Sequence, residues 1–103
     1  MEEDKVLRKL FLGFIHIHIL HHANEEPIYG TWMLEELREH GYNISAGTLY
    51  PILHSMEKDG LLHKENQNVD GKIRKYYTVT QKGIAVLIEA RKKASELFKE
   101  INE

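Results

Sequence analysis

The stretch SAGTLYPILHSMEKDGLL, Ser45 to Leu62, decides how the rest of the chain is read. Ser45 is a good N-cap residue. Leu49, Ile52, Leu53 and Met56 then repeat at i, i+3, i+4 and i+7, the pattern of one buried helical stripe. The opposite face carries Gly47, Tyr50, Pro51, His54 and Lys58, which together offer hydrogen-bonding groups, a flat aromatic ring and a cation. Asp59-Gly60 stops the helix, and Leu61-Leu62 leads straight into a strand. Pro51 falls inside this helix, where its ring collides with the carbonyl four residues back, that of Gly47. The first turn, Ala46 to Leu49, is therefore expected to be kinked or tightened. Its small residues and free N–H groups suit close approach to a phosphate.

Toward the N-terminus, Lys5 to His22 reads as a first helix with Leu7, Leu10, Phe11, Phe14, Ile15 and Ile17 on a broad apolar face. Ile15 to Ile19 also alternates as a strand would, but the apolar pattern continues on both sides for longer than a strand. Ala23 to Pro27 reads as a loop. A second helix is expected from about Ile28 to His40, packing Met33, Leu34 and Leu37 inward and ending at Gly41. The link Gly41-Tyr42-Asn43-Ile44 is short, which forces the second helix and the Ser45 helix to cross steeply, with Ile44 anchoring the turn.

Toward the C-terminus, strands are expected at about His63 to Gln67 and Lys75 to Val79, joined through Asn68 to Ile73 with Asp70-Gly71 as the turn signal. Tyr76 and Tyr77 must then point to opposite faces. Thr80 caps a long last helix reaching almost to Asn102, with Ile84, Leu87, Ile88, Ala94, Phe98 and Ile101 as its stripe. A helix followed at once by a hairpin is the arrangement of a winged helix-turn-helix, in which the Ser45 helix enters a DNA major groove. The expected fold is mainly α with a small antiparallel β wing. Residues 1–83 form the winged-helix region, and 84–103 complete a dimerisation helix packed with it as one domain.

The 103 residues, 42% of them hydrophobic, suffice for one domain with a modest core, which dimerisation would supplement. The absence of cysteine removes disulfides, thiolate nucleophiles and the common zinc-finger ligand sets. No run approaches a membrane span and the start MEED is unlike a secretory signal, so no membrane partner is expected and the cytoplasm is the default location. The net charge is -2, yet its distribution is uneven. From His63 to Lys82, five basic residues (Lys64, Lys72, Arg74, Lys75, Lys82) face two acidic ones (Glu65, Asp70), while acids gather at Glu2-Glu3-Asp4, Glu25-Glu26 and Glu35-Glu36. A basic wing on a mildly acidic body fits DNA binding that falls steeply with salt.

Candidate DNA-binding residues are accordingly Ser45, Gly47, Thr48, Tyr50, His54 and Lys58 on the helix, with Lys72, Arg74 and Lys75 on the wing. Leu97, Phe98 and Ile101 lie on the final turns of a helix longer than the domain needs. Pairing of that helix with its copy, and with Phe11 on the first helix, gives a C2 homodimer matched to an inverted-repeat operator. Trp32, off the second helix's stripe, belongs either to packing at an interface or to an effector pocket.

Separated motifs in order, Tyr29-Gly30, Ser45 to Pro51, Asp59 to Leu62, and Arg74-Lys75-Tyr76-Tyr77-Thr78-Val79-Thr80 with Gly83, resemble those of the PadR-like regulators, named for the phenolic acid decarboxylase repressor. The resemblance covers nearly the whole chain and is closest to the short branch with a single C-terminal helix. It implies a dimeric prokaryotic transcriptional regulator, usually a repressor, with Ser45, Thr48 and Tyr50 near DNA and basic wing residues reaching the backbone or minor groove. It also implies that a planar hydrophobic or phenolic effector can bind near the dimer centre. Thr31-Trp32 and the histidines His16, His18, His21 and His22 depart from the family pattern.

His18 and His22 are spaced to share an ion, but two imidazoles with no nearby aspartate or cysteine make a weak site, and no metal is expected. With no thiol, no glycine-rich phosphate cradle and no recessed carboxylate pair, no catalytic residue, cofactor or enzymatic activity is expected. The rival reading is a protein-interaction module that docks through its C-terminal helix.

Overall fold

The computed structural model describes residues 4–103, so the acidic pair Glu2-Glu3 lies outside the described residues. The elements run α1 (Lys5–Glu25), β1 (Ile28–Tyr29), α2 (Gly30–Glu39), α3 (Ala46–Lys58), β2 (Leu62–Val69), β3 (Lys72–Val79) and α4 (Gln81–Ile101). The protein is mostly helical, with a three-stranded antiparallel sheet in the order β1-β3-β2.

Two helix starts and two helix stops have a clear local cause. Asp4 caps α1 by accepting a hydrogen bond from the Val6 N–H at 2.8 Å, and the Thr80 hydroxyl accepts from the Gly83 N–H at 3.0 Å to start α4. α2 and α3 stop in the same way. Gly41 and Gly60 take positive φ (89° and 79°), and the next N–H turns back to the carbonyl five residues earlier, Tyr42 to Leu37 and Leu61 to Met56. Ser45 stands at the N-cap of α3 as expected, but its hydroxyl pairs with that of Thr48 at 3.3 Å, making no side-chain cap. Its carbonyl instead accepts from both Thr48 and Leu49, a tightened first turn that carries the helix continuously through Pro51.

The core is assembled from helical stripes. Ile15, Ile19, Leu20 and Ala23 of α1 meet Met33 and Leu37 of α2, then Leu49, Leu53 and Met56 of α3, with Ile44 closing the link between them. Ile28, Leu62, Tyr77 and Leu87 complete it from the sheet and α4. Among the described residues, fourteen buried apolar side chains and no buried polar residue make this a conventional hydrophobic core.

Four boundaries differ from the sequence reading. α1 continues to Glu25 instead of ending at His22, because Ala23 is buried and prolongs the stripe. Ile28 and Tyr29 do not open α2 but pair with Tyr77 and Tyr76 as a two-residue strand. The hairpin is longer on both sides, paired from Leu62↔Val79 to Val69↔Lys72, so the expected six-residue connection contracts to Asp70-Gly71. Both turn residues have positive φ (51° and 81°), the backbone of a tight hairpin turn. Finally, the inward stripe of α1 begins at Ile15, and Leu7, Leu10, Phe11 and Phe14 are exposed.

α4 packs its first half on α1 and β3. From Arg91 onward every residue is exposed, and the helix, about 31 Å long at 1.5 Å per residue, projects from the body. The molecule accordingly measures 53 × 37 × 22 Å.

Candidate nucleic-acid interface

With Leu49, Leu53 and Met56 committed to the core, α3 turns Gly47, Tyr50, Pro51, His54 and Lys58 outward. β2 leaves the end of α3 directly, so the hairpin rises beside this face. Between them runs a groove of about 960 Å³ bordered by Tyr50, Pro51 and His54 on one side and by Lys64, Lys72, Arg74 and Lys75 on the other. Tyr29, Gly30 and Thr31 form its end. Four cations against Asp70 give the groove a positive lining.

Tyr50 has a double role. Its ring lies over Gly30 so closely that a Cβ at Gly30 would sit 2.1 Å from Tyr50 Cε1, yet the residue remains 44% exposed. The missing side chain at Gly30 therefore lets Tyr50 lie down on the start of α2 with its edge toward the groove. Beneath it Tyr77 is buried, which pushes its phenol pKa up, with Glu57 and Tyr50 adding to the shift.

The wing cations do not share one face. Strand alternation puts Lys72 and Arg74 with Tyr76, and Lys75 with Ile73 and Tyr77. The Arg74 guanidinium sits 4.2 Å over the Tyr29 ring, which meets Tyr76 edge-on at 5.5 Å. A hydrogen bond with Tyr76 is the main cause of a raised Arg74 pKa. Arg74 is thus held in place before any partner arrives. Lys82 is spent differently: its ammonium donates to the Asp59 carbonyl at 2.8 Å and finishes α3.

The expected residues thus divide. Tyr50, His54, Lys72, Arg74 and Lys75 border the groove. Ser45 and Gly47 are exposed at the tip of α3, and Lys58 is exposed at its far end, beyond the groove. Thr48 is half-buried and faces another hollow, with Phe11, Phe14 and Tyr42. Gly47 has no positive φ, and an added Cβ would meet only Ser45 Oγ at an ordinary 3.7 Å, so Pro51 does not require glycine there. Lys64, Tyr29 and Thr31 also line the groove and were not among the expected residues; Lys64 stands there because it pairs opposite Tyr77 across the ladder, a register that only the fold reveals.

Phe11 meets Tyr42 edge-on at 6.1 Å, and Leu97, Phe98 and Ile101 are 54, 59 and 70% exposed. Trp32 is half-buried against the core and edge-on to His22 at 5.4 Å, which makes it part of the packing between α2 and α1. No described helix is long and apolar enough to cross a membrane.

Three helices, the third laid beside a basic antiparallel hairpin, define a winged helix-turn-helix regulator of transcription. The chain belongs to the transcriptional regulator PadR-like family, whose model matches residues 19–89. It is 44% identical over 95 residues to the transcriptional regulator Rv3488 of Mycobacterium tuberculosis, covering 92% of this chain and 89% of the relative. A PadR family transcriptional regulator from Eggerthella lenta has the same fold at TM-score 0.82 and 34% identity, over 94% of this chain and 86% of that one. A PadR-like transcriptional regulator from Bacillus cereus superposes at TM-score 0.83 with 29% identity, over 91% and 93% of the two chains. The protein is a regulator and not an enzyme.

Proposed function

We propose that the protein is a homodimeric, sequence-specific repressor that places α3 in the major groove of an inverted-repeat operator and rests its wing on the flanking backbone. The observation that carries this reading is the single groove shared by Tyr50 and His54 of α3 and the cations Lys64, Lys72, Arg74 and Lys75 of the hairpin. The helix side supplies groups that discriminate base edges, and the hairpin supplies charges that hold phosphates without reading sequence. Dimerisation follows from the exposed apolar residues on α1 and on the free half of α4, which a second copy would cover around a two-fold axis.

The hollow between α1 and the α2–α3 link, about 480 Å³ and lined by Phe11, Phe14, Tyr42 and Ile44, has the size and character to take a small aromatic effector. Its place beside Phe11 would let such a ligand act on the dimer.

Selection of binding sites from random duplex DNA, followed by titration at several salt concentrations, tests the proposal. Recovery of an inverted repeat, with affinity falling steeply as salt rises, is the expected result. If no sequence is enriched and substitutions on α3 leave residual binding unchanged, DNA recognition is refuted and the free face of α4 becomes a docking surface for another protein.

A further inference from the structure

The contact between α1 and α2 gathers donor groups that DNA recognition does not use. His18 and His22 stand one turn apart on α1, and His40, the C-cap of α2, follows Glu36 of that helix by one turn, so each pair projects from one side of its helix. The helices bring the two faces together. Ring nitrogens of His18, His22 and His40 lie within 4.8 Å of one another. The Nε2 atoms of His22 and His40 approach the same Glu36 oxygen at 3.7 and 3.4 Å. The His18 ring lies 4.8 Å from that of His40 and stacks at 6.1 Å on that of His22.

Packing alone does not call for this set. Leucines would join two helices at less desolvation cost than four ionisable groups around a common centre. Glu36 pairs with His22 and His40, whereas His18 makes ring contacts and, among the described residues, no hydrogen bond. Burial first, then His40, His22 and His21, lower the His18 pKa, with Glu36 acting in the opposite direction.

We propose that His18, His22, Glu36 and His40 bind one divalent transition-metal ion of zinc-like chemistry between α1 and α2. Three imidazole nitrogens and one carboxylate oxygen form a tetrahedral donor set; Zn–N bonds of about 2.0–2.1 Å place such donors roughly 3.3 Å apart. The two Glu36 pairs are already near that separation. His18 already stands in the cluster of three imidazoles, so side-chain rotation has to carry the Glu36 oxygen, now against His22 and His40, to the centre that the rings share. A Glu25 oxygen lies 3.4 Å from His22 Nδ1, on the side of the ring where a carboxylate orients a metal-bound histidine with Nε2 toward the ion. Imidazole-rich ligation without thiolate selects against magnesium, calcium and copper(I). The sequence reading rated His18 and His22 a weak pair because the two completing donors come from another helix.

The test uses the full chain, purified without a histidine tag, stripped by chelator and titrated with Zn²⁺ alone by calorimetry, then with Co²⁺ by visible absorption. One ion per chain and the intense bands of tetrahedral cobalt are expected. His18→Ala and His40→Ala should each weaken Zn²⁺ binding by at least about tenfold, the scale seen even for outer-shell losses. His21→Ala should leave it unchanged. His40 is exposed, so its variant should keep the wild-type circular dichroism, which separates loss of the site from loss of fold. Co²⁺ should also quench Trp32, which touches His22, in the wild type but not in His40→Ala. Absence of stoichiometric binding overturns the proposal. So does binding that survives His40→Ala and disappears with His21→Ala, which would place the ion on the second cluster, His21, His22 and Glu25 of α1 alone.

Discussion

Replacing Gly83 by alanine introduces one methyl group at a position with no room for it. The new Cβ would lie 2.3 Å from the Leu61 carbonyl oxygen and 2.6 Å from Val79 Cγ2, and the first of these is backbone. The same carbonyl accepts the Thr80 N–H at 3.1 Å, so moving it weakens the entry to α4 as well. Overpacking costs about 1–3 kcal/mol and a weakened hydrogen bond about 0.5–1.5, while alanine regains roughly 0.5–1 through helix propensity. The net loss is about 1–3 kcal/mol. At about 4–8 °C per kcal/mol for a domain of this size, the melting temperature should drop by roughly 5–20 °C. Gly47→Ala is the matched control: the same methyl meets only Ser45 Oγ at an ordinary 3.7 Å, so the melting temperature should stay level or rise by about 2–8 °C. Thermal unfolding followed by circular dichroism at one protein concentration makes the comparison, since association would shift the midpoint. A Gly83→Ala protein melting within a degree or two of the wild type, or a Gly47→Ala protein equally destabilised, would refute the packing argument.

Phe98→Asp should yield a monomer in sedimentation at micromolar concentration with secondary structure retained, because a dimer cannot bury an unpaired carboxylate cheaply; a persisting dimer would move the interface elsewhere. Lys72→Ala should weaken binding to all DNA sequences about equally and lower the salt slope by roughly one, whereas Lys82→Ala, whose ammonium caps α3, should leave the slope as it is. Tyr50→Phe keeps the ring over Gly30 and removes only the hydroxyl, so it should melt like the wild type while losing about 1–3 kcal/mol of discrimination at one operator position. An unchanged preference order in competition binding would instead assign that hydroxyl to a phosphate or to water.

Local signals were legible in the sequence because local forces decide them. The stripe of α3, its stop at Asp59-Gly60, the Thr80 cap and the Asp70-Gly71 turn each depend on residues within one or two turns. The short strand β1 was not legible. Two residues have no periodicity, and Ile28 after Pro27 looks like a helix start until its pairing with Tyr77 is known. The hairpin's outer rungs, Asn68↔Ile73 and Val69↔Lys72, were missed because Asn68, Lys72 and Ile73 are all exposed, leaving no buried alternation to count. In the site, Tyr50 and His54 could be picked by elimination from the core stripe. The Arg74 contact with Tyr29 and the approach of His40 to His18 join residues far apart in the chain, and only the assembled fold brings them together.

The two hydrogen-bonding residues of β1 occupy nearly the whole passage from α1 to α2. Between Glu25 and Gly30 the chain has only Glu26 and Pro27 outside them, and Ile28 and Tyr29 are fixed in register to Tyr77 and Tyr76 at the base of the wing. A passage this short has no slack. If α1 slides or tilts against α2, the displacement must either break the β1–β3 pairing or carry the root of the hairpin with it. The angle at which the wing stands beside α3 is therefore geared to the seating of the first helix.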